Sequence, residues 1–151
     1  MKIINLKDAP EHLEKLAEWH QCEWAALNPG SSLQDRIDKM RGYLEDDFIP
    51  GTYIALGQEL AGSAAIIKYD MDSRKDLSPW LASVYVRSDQ RRKGIGTQLV
   101  KHVMSEARKA GLKHLYLFTP DQVSFYRQLG WQVLERARYH NHDIVIMHVD
   151  L

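Results

Sequence analysis

The sequence predicts an α/β (α+β) domain built on a mixed sheet, and three observations carry that prediction. The apolar run Trp80 to Val86 is followed by a helical stripe and then by a second apolar run, His114 to Phe118. Strand, helix, strand is a crossover unit, which makes its two strands parallel. Ahead of it, Thr52 to Leu56 and Leu60 to Tyr69 are joined by only Gly57-Gln58-Glu59, a tight connection that makes a hairpin and therefore an antiparallel pair. Near the C-terminus, Trp131 to Leu134 and Asp143 to Val149 read as another antiparallel pair around Tyr139 to His142. With Lys2 to Lys7 as an opening strand, the sheet has about six to seven strands, flanked by about four helices.

The elements follow in order. Asp8 with Glu11 forms a capping box for a helix whose Leu13, Leu16, Ala17, His20 and Trp24 keep helical spacing until Asn28-Pro29-Gly30. Ser32 with Asp35 opens a second helix carrying Leu33, Ile37, Met40 and Leu44, which stops before Ile49-Pro50-Gly51. After the hairpin, a polar loop from Asp70 to Pro79 leads into Trp80 to Val86, apolar nearly throughout and so expected to be a central strand covered on both faces. Ile95, Leu99, Val100, Val103, Met104 and Ala107 form one stripe of the third helix, and Gly111 is placed to end it in a left-handed cap. Thr119-Pro120-Asp121-Gln122 is expected to cap a short fourth helix that carries Phe125 and Leu129 and ends at Gly130.

Length and composition point to one domain spanning 1–151. At 151 residues and 44% hydrophobic, the chain can bury a core without a disulfide or a metal. Twenty basic and twenty acidic residues cancel, so no global field draws the protein to nucleic acid or to a membrane. The single cysteine, Cys22, excludes an intrachain disulfide and a multi-cysteine metal cluster, and suits a reducing compartment. Neither a signal peptide nor an apolar run of about 20 residues is visible, and the expectation is a soluble, cytoplasmic protein.

One stretch concentrates chemistry. Between Val84 and Val100, VYVRSDQRRKGIGTQLV sets Arg87, Arg91, Arg92 and Lys93 and two glycines between a strand and a helix. A helix N-terminus leaves its first N–H groups without internal partners and carries about half a positive charge, so anions bind there. Gly94 and Gly96 open the approach to the amides of Arg91 through Thr97, while Arg91, Arg92 and Lys93 add charge at the rim. The ligand expected from this arrangement has more than one phosphate. A dinucleotide fingerprint would need a third glycine where Leu99 stands, and almost no loop where seven residues, Arg87 to Lys93, intervene. The Walker pattern fails because no Gly-Lys-Ser or Gly-Lys-Thr occurs. The bland alternative is a solvated basic turn.

Arg91-Arg92-Lys93-Gly94-Ile95-Gly96 resembles the Gln/Arg-x-x-Gly-x-Gly/Ala signature with which GCN5-related N-acetyltransferases hold the pyrophosphate of acetyl-coenzyme A. The preceding Leu-x-x-Val-Tyr-Val strand, the helix that follows, and Phe125-Tyr126-Arg127-Gln128-Leu129-Gly130-Trp131, which looks like the family's Phe-Tyr-x-x-x-Gly-Phe segment, extend the likeness from about Pro79 to Leu134. The resemblance implies a fold in which the strand before the signature splays from its neighbour and pairs with the pantetheine arm, here Val84, Tyr85, Val86 and Arg87. It further implies that the amides of Arg91, Arg92, Lys93, Gly94, Ile95 and Gly96, with Thr97 beside them, take the pyrophosphate. The amide of Val84 or Val86 would polarise the thioester carbonyl, Phe125 would pack beside pantetheine or core, and Tyr126 would protonate the departing thiolate. Read without the resemblance, Tyr126 is equally an ordinary half-buried tyrosine.

The base stays open at this level. Some family members place a glutamate on the strand before the signature, whereas Trp80 to Val86 holds no carboxylate; His20, Glu23 and Asp76 are the candidates. Cys22 and His20 point to different faces of a helix, and His140 with His142 reads as a polar turn rather than a metal site. Trp19, Trp24, Trp80 and Tyr85 read as core residues, some of them walling an acceptor pocket, and Ala25 to Arg36 reads as a mobile acceptor lid. The expected activity is transfer of acetyl from acetyl-CoA to a primary amine acceptor of a small molecule, by direct attack in a ternary complex. A noncatalytic acyl-CoA-binding sensor of the same fold and a nucleotide-binding protein are the alternatives. The family often dimerises, so a homodimer is compatible with the resemblance.

Overall fold

Every central strand sends alternate residues into two different cores. In the computed structural model, which describes residues Met1–Leu151, Tyr53, Ala55, Ile66, Leu81, Val145 and Met147 face one core, while Ile54, Ala65, Ile67, Trp80, Ala82, Ile144 and Ile146 face the other. The strands are β1 (Lys2–Asn5), β2 (Gly51–Leu56), β3 (Leu60–Ile67), β4 (Trp80–Val86), β5 (His114–Thr119), β6 (Gln132–Tyr139) and β7 (His142–Asp150). They form one seven-stranded sheet in the order β1-β2-β3-β4-β5-β7-β6, antiparallel except for β4 with β5. This is the mixed α/β architecture that the crossover and the two hairpins predict.

The helices complete a three-layer arrangement. Helices α1 (Leu13–Trp24) and α2 (Leu33–Met40) cover one face, burying Leu13, Leu16, Ala17 and Met40. Helices α3 (Ile95–Lys109) and α4 (Val123–Gln128) cover the other, where Ile95, Leu99, Val100, Val103 and Ala107 form the predicted stripe. Gly111 and Gly130 adopt φ of +87° and +94° just past α3 and α4, as their capping roles require. Ser32 and Asp35 exchange both hydrogen bonds of a capping box, at 3.0 and 3.2 Å. No helix is long and apolar enough to cross a membrane.

Two helix starts differ from the sequence reading. Instead of an Asp8–Glu11 box, two single 3-10 turns, Leu6–Asp8 and Pro10–His12, precede α1, and no side chain caps it. Buried Leu6 and Ala9 fix this path, so packing sets the start instead of local capping. Likewise α4 begins at Val123 rather than at Pro120. Thr119 is the last residue of β5, and its Oγ1 accepts from the amide of Gln122 at 3.0 Å, closing a turn ahead of the helix.

The irregularities that matter lie around β4. Its parallel pairing with β5 is confined to Trp80 opposite Tyr116, after which the two strands diverge. On the other side, Ser63 pairs with Tyr85 and Ala65 with Ala82, so Ser83 and Val84 together stand opposite Ala64 alone. That is a β-bulge, and Ser83 carries the left-handed φ of +52° within it. β4 is therefore buried only over Trp80–Ala82; Ser83 to Val86 are half-exposed, not covered on both faces. Gly62 permits the close approach of β3 here, since a Cβ on it would lie 2.5 Å from the carbonyl oxygen of Tyr85.

Candidate active site

The divergence of β4 from β5 opens a cleft of about 1090 Å³. Its floor is the exposed half of β4, Ser83, Val84, Tyr85 and Val86; the start of α3 closes one end, and Phe125 and Tyr126 of α4 line it from the far side of the gap. The proposed cofactor-binding residues Arg91, Arg92, Gly94, Ile95, Gly96 and Thr97 all border this one space. Lys93 does not; it is exposed, with its ammonium 3.4 Å from the side-chain oxygen of Gln90.

The turn into α3 leaves backbone amides free at the mouth of the helix. The first helical hydrogen bond runs from Gln98 N to Gly94 O at 3.1 Å, which leaves the amides of Ile95, Gly96 and Thr97 without helical partners. Gly94 reaches this geometry with φ +81° and ψ 8°, and Arg92 holds φ +66°. Left-handed backbone at a side-chain-bearing residue is strain of the kind that collects at ligand-binding turns. At Gly96 a Cβ would make ordinary contact with Phe125 at 3.5 Å and Val86 at 3.6 Å, so the start of α3 lies close to both residues.

Only part of the basic cluster serves this turn. Arg87 is committed elsewhere, with its guanidinium bonded to Asp89 and, at 2.8 Å, to Glu59, which ties the β2–β3 hairpin to the end of β4. Arg91 Nε donates to Val86 O at 2.9 Å, and its guanidinium carbon lies 5.7 Å from the centre of the Tyr85 ring. That contact anchors Arg91 at the cleft edge. The sequence shows four cations at one turn; their division of labour is legible only in three dimensions.

Tyr126 is 8% exposed and packed edge-on against Phe125 and Trp131. Burial first, and the nearby Asp121 carboxylate second, push its phenol well above the ordinary value of 10. The side chain therefore keeps its proton throughout the neutral range, as a proton donor must.

Of the three candidate bases, the structure removes two. Asp76 lies outside the cleft, bonded to Arg74 by two hydrogen bonds of 3.0 Å that hold its pKa below the usual carboxylate value. His20 does line the cleft, yet it is 2% exposed and structural. Ser63 Oγ donates to Ser83 O at 3.1 Å and so must accept from His20 Nε2 at 2.9 Å, a chain that runs from α1 across β3 into the bulge of β4. Burial, with Arg36 adding repulsion, lowers the imidazole to about 3, so it remains neutral and is a poor proton acceptor. Glu23 borders the cleft and stays in contention.

The depressed imidazole has a measurable consequence. The unfolded chain takes up a proton near pH 6.5 and the folded one not until about 3, so His20 contributes stability that is lost as pH falls between these values. In urea titrations from pH 7 to 4, wild type should lose about 1.4 kcal/mol per pH unit relative to His20→Gln once below pH 6.5. Parallel pH profiles would contradict a neutral buried imidazole.

The remaining walls come from residues read as core or lid. Trp24 and Tyr85 line the cleft, with ring centres 6.1 Å apart, whereas Trp80 is fully buried and Trp19 packs on Tyr85 from behind at 5.6 Å. The Ala25 to Arg36 segment, expected to be a mobile lid, lends Leu27, Asn28, Ser31, Asp35 and Arg36 to the cleft wall. Gln21 bonds both Ser31 O, at 3.0 Å, and Arg36 Nε, at 2.9 Å, and His140 bonds Leu27 O from the β6–β7 turn. Cys22 is exposed outside the cleft, and no cluster of His, Cys, Asp or Glu is placed to hold a metal ion. One acid escaped the sequence reading. Asp70, placed there in a polar loop, borders the cleft because buried Met71 and Leu77 fold that loop back against the sheet, and those two apolar residues were the available signal.

Comparison with known proteins agrees with this geometry. The model of the acetyltransferase (GNAT) family matches residues 13–131. No curated protein sequence matches the chain. Among solved structures, the chain is similar to a ribosomal-protein-alanine N-acetyltransferase from Brucella melitensis, at 20% identity and a TM-score of 0.77 over 100% of both chains. It is similar as well to an aminoglycoside 6'-acetyltransferase type Ii, at 20% identity and a TM-score of 0.75 over 99% of this chain and 97% of the other. An aminoglycoside 6'-N-acetyltransferase complexed with coenzyme A matches at 19% identity and a TM-score of 0.74, over 99% and 97%. At such identities the structural likeness establishes the shared fold.

Proposed function

Because the chain belongs to the acetyltransferase (GNAT) family, we propose that it transfers an acetyl group from acetyl-CoA to a primary amine of a small molecule, with both substrates bound in one ternary complex. Acetyl-CoA supplies the acetyl group activated as a thioester. The observation that carries the reading is the convergence, on one cleft, of the free amides at the start of α3, the bulged half of β4 and the protonated phenol of Tyr126.

The chain's own residues suit each task. The amides of Ile95, Gly96 and Thr97, with Arg91 and Arg92 at the rim, favour a diphosphate. The residue a bulge inserts is left out of the ladder, so the Val84 amide is the donor best freed to polarise a carbonyl in the gap. The His20–Ser63–Ser83 chain holds that bulge, and with it the direction of the Val84 amide. Tyr126 delivers a proton to the sulfur as the C–S bond breaks. The amine enters from the side opposite the α3 turn and attacks as the free base; the proton its nitrogen sheds as the amide forms passes to Glu23 at the cleft or to water, Tyr126 regains its own from solvent, and no covalent enzyme intermediate is needed.

The test is release of free thiol from acetyl-CoA in the presence of a panel of small primary amines. Amine-dependent release supports the enzyme. Tight CoA binding with no release for any amine would instead identify a noncatalytic acyl-CoA-binding module.

A further inference from the structure

The cleft continues past the strand gap, away from the α3 turn, along Met40 and Ile67 to Tyr43, Asp70 and Tyr139. Asp70 is the acid of this far end. It follows β3 by three residues, and the loop carrying it is pinned by Met71, 1% exposed. Asp70 makes neither a side-chain hydrogen bond nor an ion pair; the charge that acts on it is Lys39 of α2, which favours its ionised form. Burial is the larger influence and pushes its carboxyl up to about 6. The other titratable groups around it are Arg36 of α2, which is bonded to Gln21, the phenols of Tyr43 and Tyr139, both held above their ordinary values by burial first, and Asp72, whose carboxylate also acts on Tyr139. Asp70 keeps part of its surface open to the cleft and meets no hydrogen-bond donor of the protein, so a donor carried by a ligand can reach it.

Position determines which part of a ligand it meets. Ile67 is level with Trp80, and Trp80 precedes Ser83 by three residues, roughly 10 Å along an extended strand. Asp70 thus lies well beyond the place where acyl transfer would occur. We propose that Asp70 binds a second cationic group of the acceptor, so that the preferred acceptor is a flexible molecule with two separated amines instead of a monoamine. Tyr43, Phe118 and Tyr139 line the same end and give it apolar surface suited to an alkyl spacer. This inference rests on the acetyl-transfer reading above.

Cadaverine and pentylamine differ by that second amine and are the probes. With wild type, kcat/KM for cadaverine should exceed that for pentylamine about tenfold or more. In Asp70→Asn that ratio falls toward one through a higher KM for cadaverine, with kcat and the KM for acetyl-CoA retained. The wild-type preference should also fade as pH drops through about 6, where Asp70 takes up its proton. A ratio near one in wild type, or one that survives Asp70→Asn, overturns the proposal. Calorimetric titration of cadaverine into the CoA-loaded protein reads the subsite without turnover. Equal binding by wild type and Asp70→Asn, or thiol release with other amines of the panel but not with cadaverine, strikes the subsite, whereas absence of thiol release with every amine of the panel strikes the acetyl-transfer reading itself.

Discussion

Replacing Tyr126 with phenylalanine should lower kcat by about 10²–10⁴-fold, the usual contribution of a positioned general acid, while leaving the KM for acetyl-CoA within a few-fold of wild type. The variant keeps the packing on Phe125 and Trp131, and the phenol oxygen has no hydrogen bond within the protein to lose, so melting temperature should hardly move. The pH profile adds a sign. Because burial raises the phenol, its deprotonation cannot limit the wild-type rate until above pH 10, and kcat should show no basic limb from this group below that value. Steady-state thiol release across pH measures both. A kcat for Tyr126→Phe equal to that of wild type would mean that the thiolate leaves without this proton.

The second large effect is expected at Gly94. A Cβ there meets no atom within 4 Å, so crowding at that atom is not the issue; the φ of +81° is. A left-handed backbone costs a side-chain-bearing residue roughly 1–2 kcal/mol, and a β-branched one is a genuine outlier there. The turn should relax to another path, taking the amides of Ile95, Gly96 and Thr97 out of alignment. Since 1.4 kcal/mol is a factor of ten, CoA affinity should fall about tenfold or more in Gly94→Val. Gly94 itself is exposed and belongs to neither core, although its neighbour Ile95 does, so without ligand the melting temperature should fall only by the about 2–8 °C that this backbone strain implies. Calorimetric titration with CoA compares the two proteins, and unchanged affinity would remove Gly94 from the cradle.

Local signals explain which parts of this molecule were legible in its sequence. Hydrophobic periodicity locates α3, with its buried Leu99, Val100 and Val103, and the short Gly57-Gln58-Glu59 connection locates the β2–β3 hairpin, because both depend on neighbours in the chain. The Arg91 to Gly96 motif marks the turn for the same reason. Contacts made at long sequence separation were hidden. His20 meets Ser63 across 43 residues, Arg87 meets Glu59 across 28, and neither pairing leaves a pattern in either segment. The bulge in β4 is equally silent, since Leu81-Ala82-Ser83-Val84 contains no glycine to announce the left-handed Ser83. Asp70 was obscured by its surroundings in sequence, where charged neighbours make an acid that borders the cleft look like one more loop residue.

All of the catalytic account depends on the start of α3 receiving the diphosphate of CoA. Amide spectra of the nitrogen-15-labelled protein, recorded during titration with CoA and separately with pantetheine, which lacks the phosphates, test that directly. CoA should shift the amide resonances of Gly94, Ile95, Gly96 and Thr97 strongly, while pantetheine shifts those of Val84 to Val86 and leaves the turn nearly still. Resonances of Gly94 to Thr97 that remain in place at saturating CoA would contradict the anion cradle.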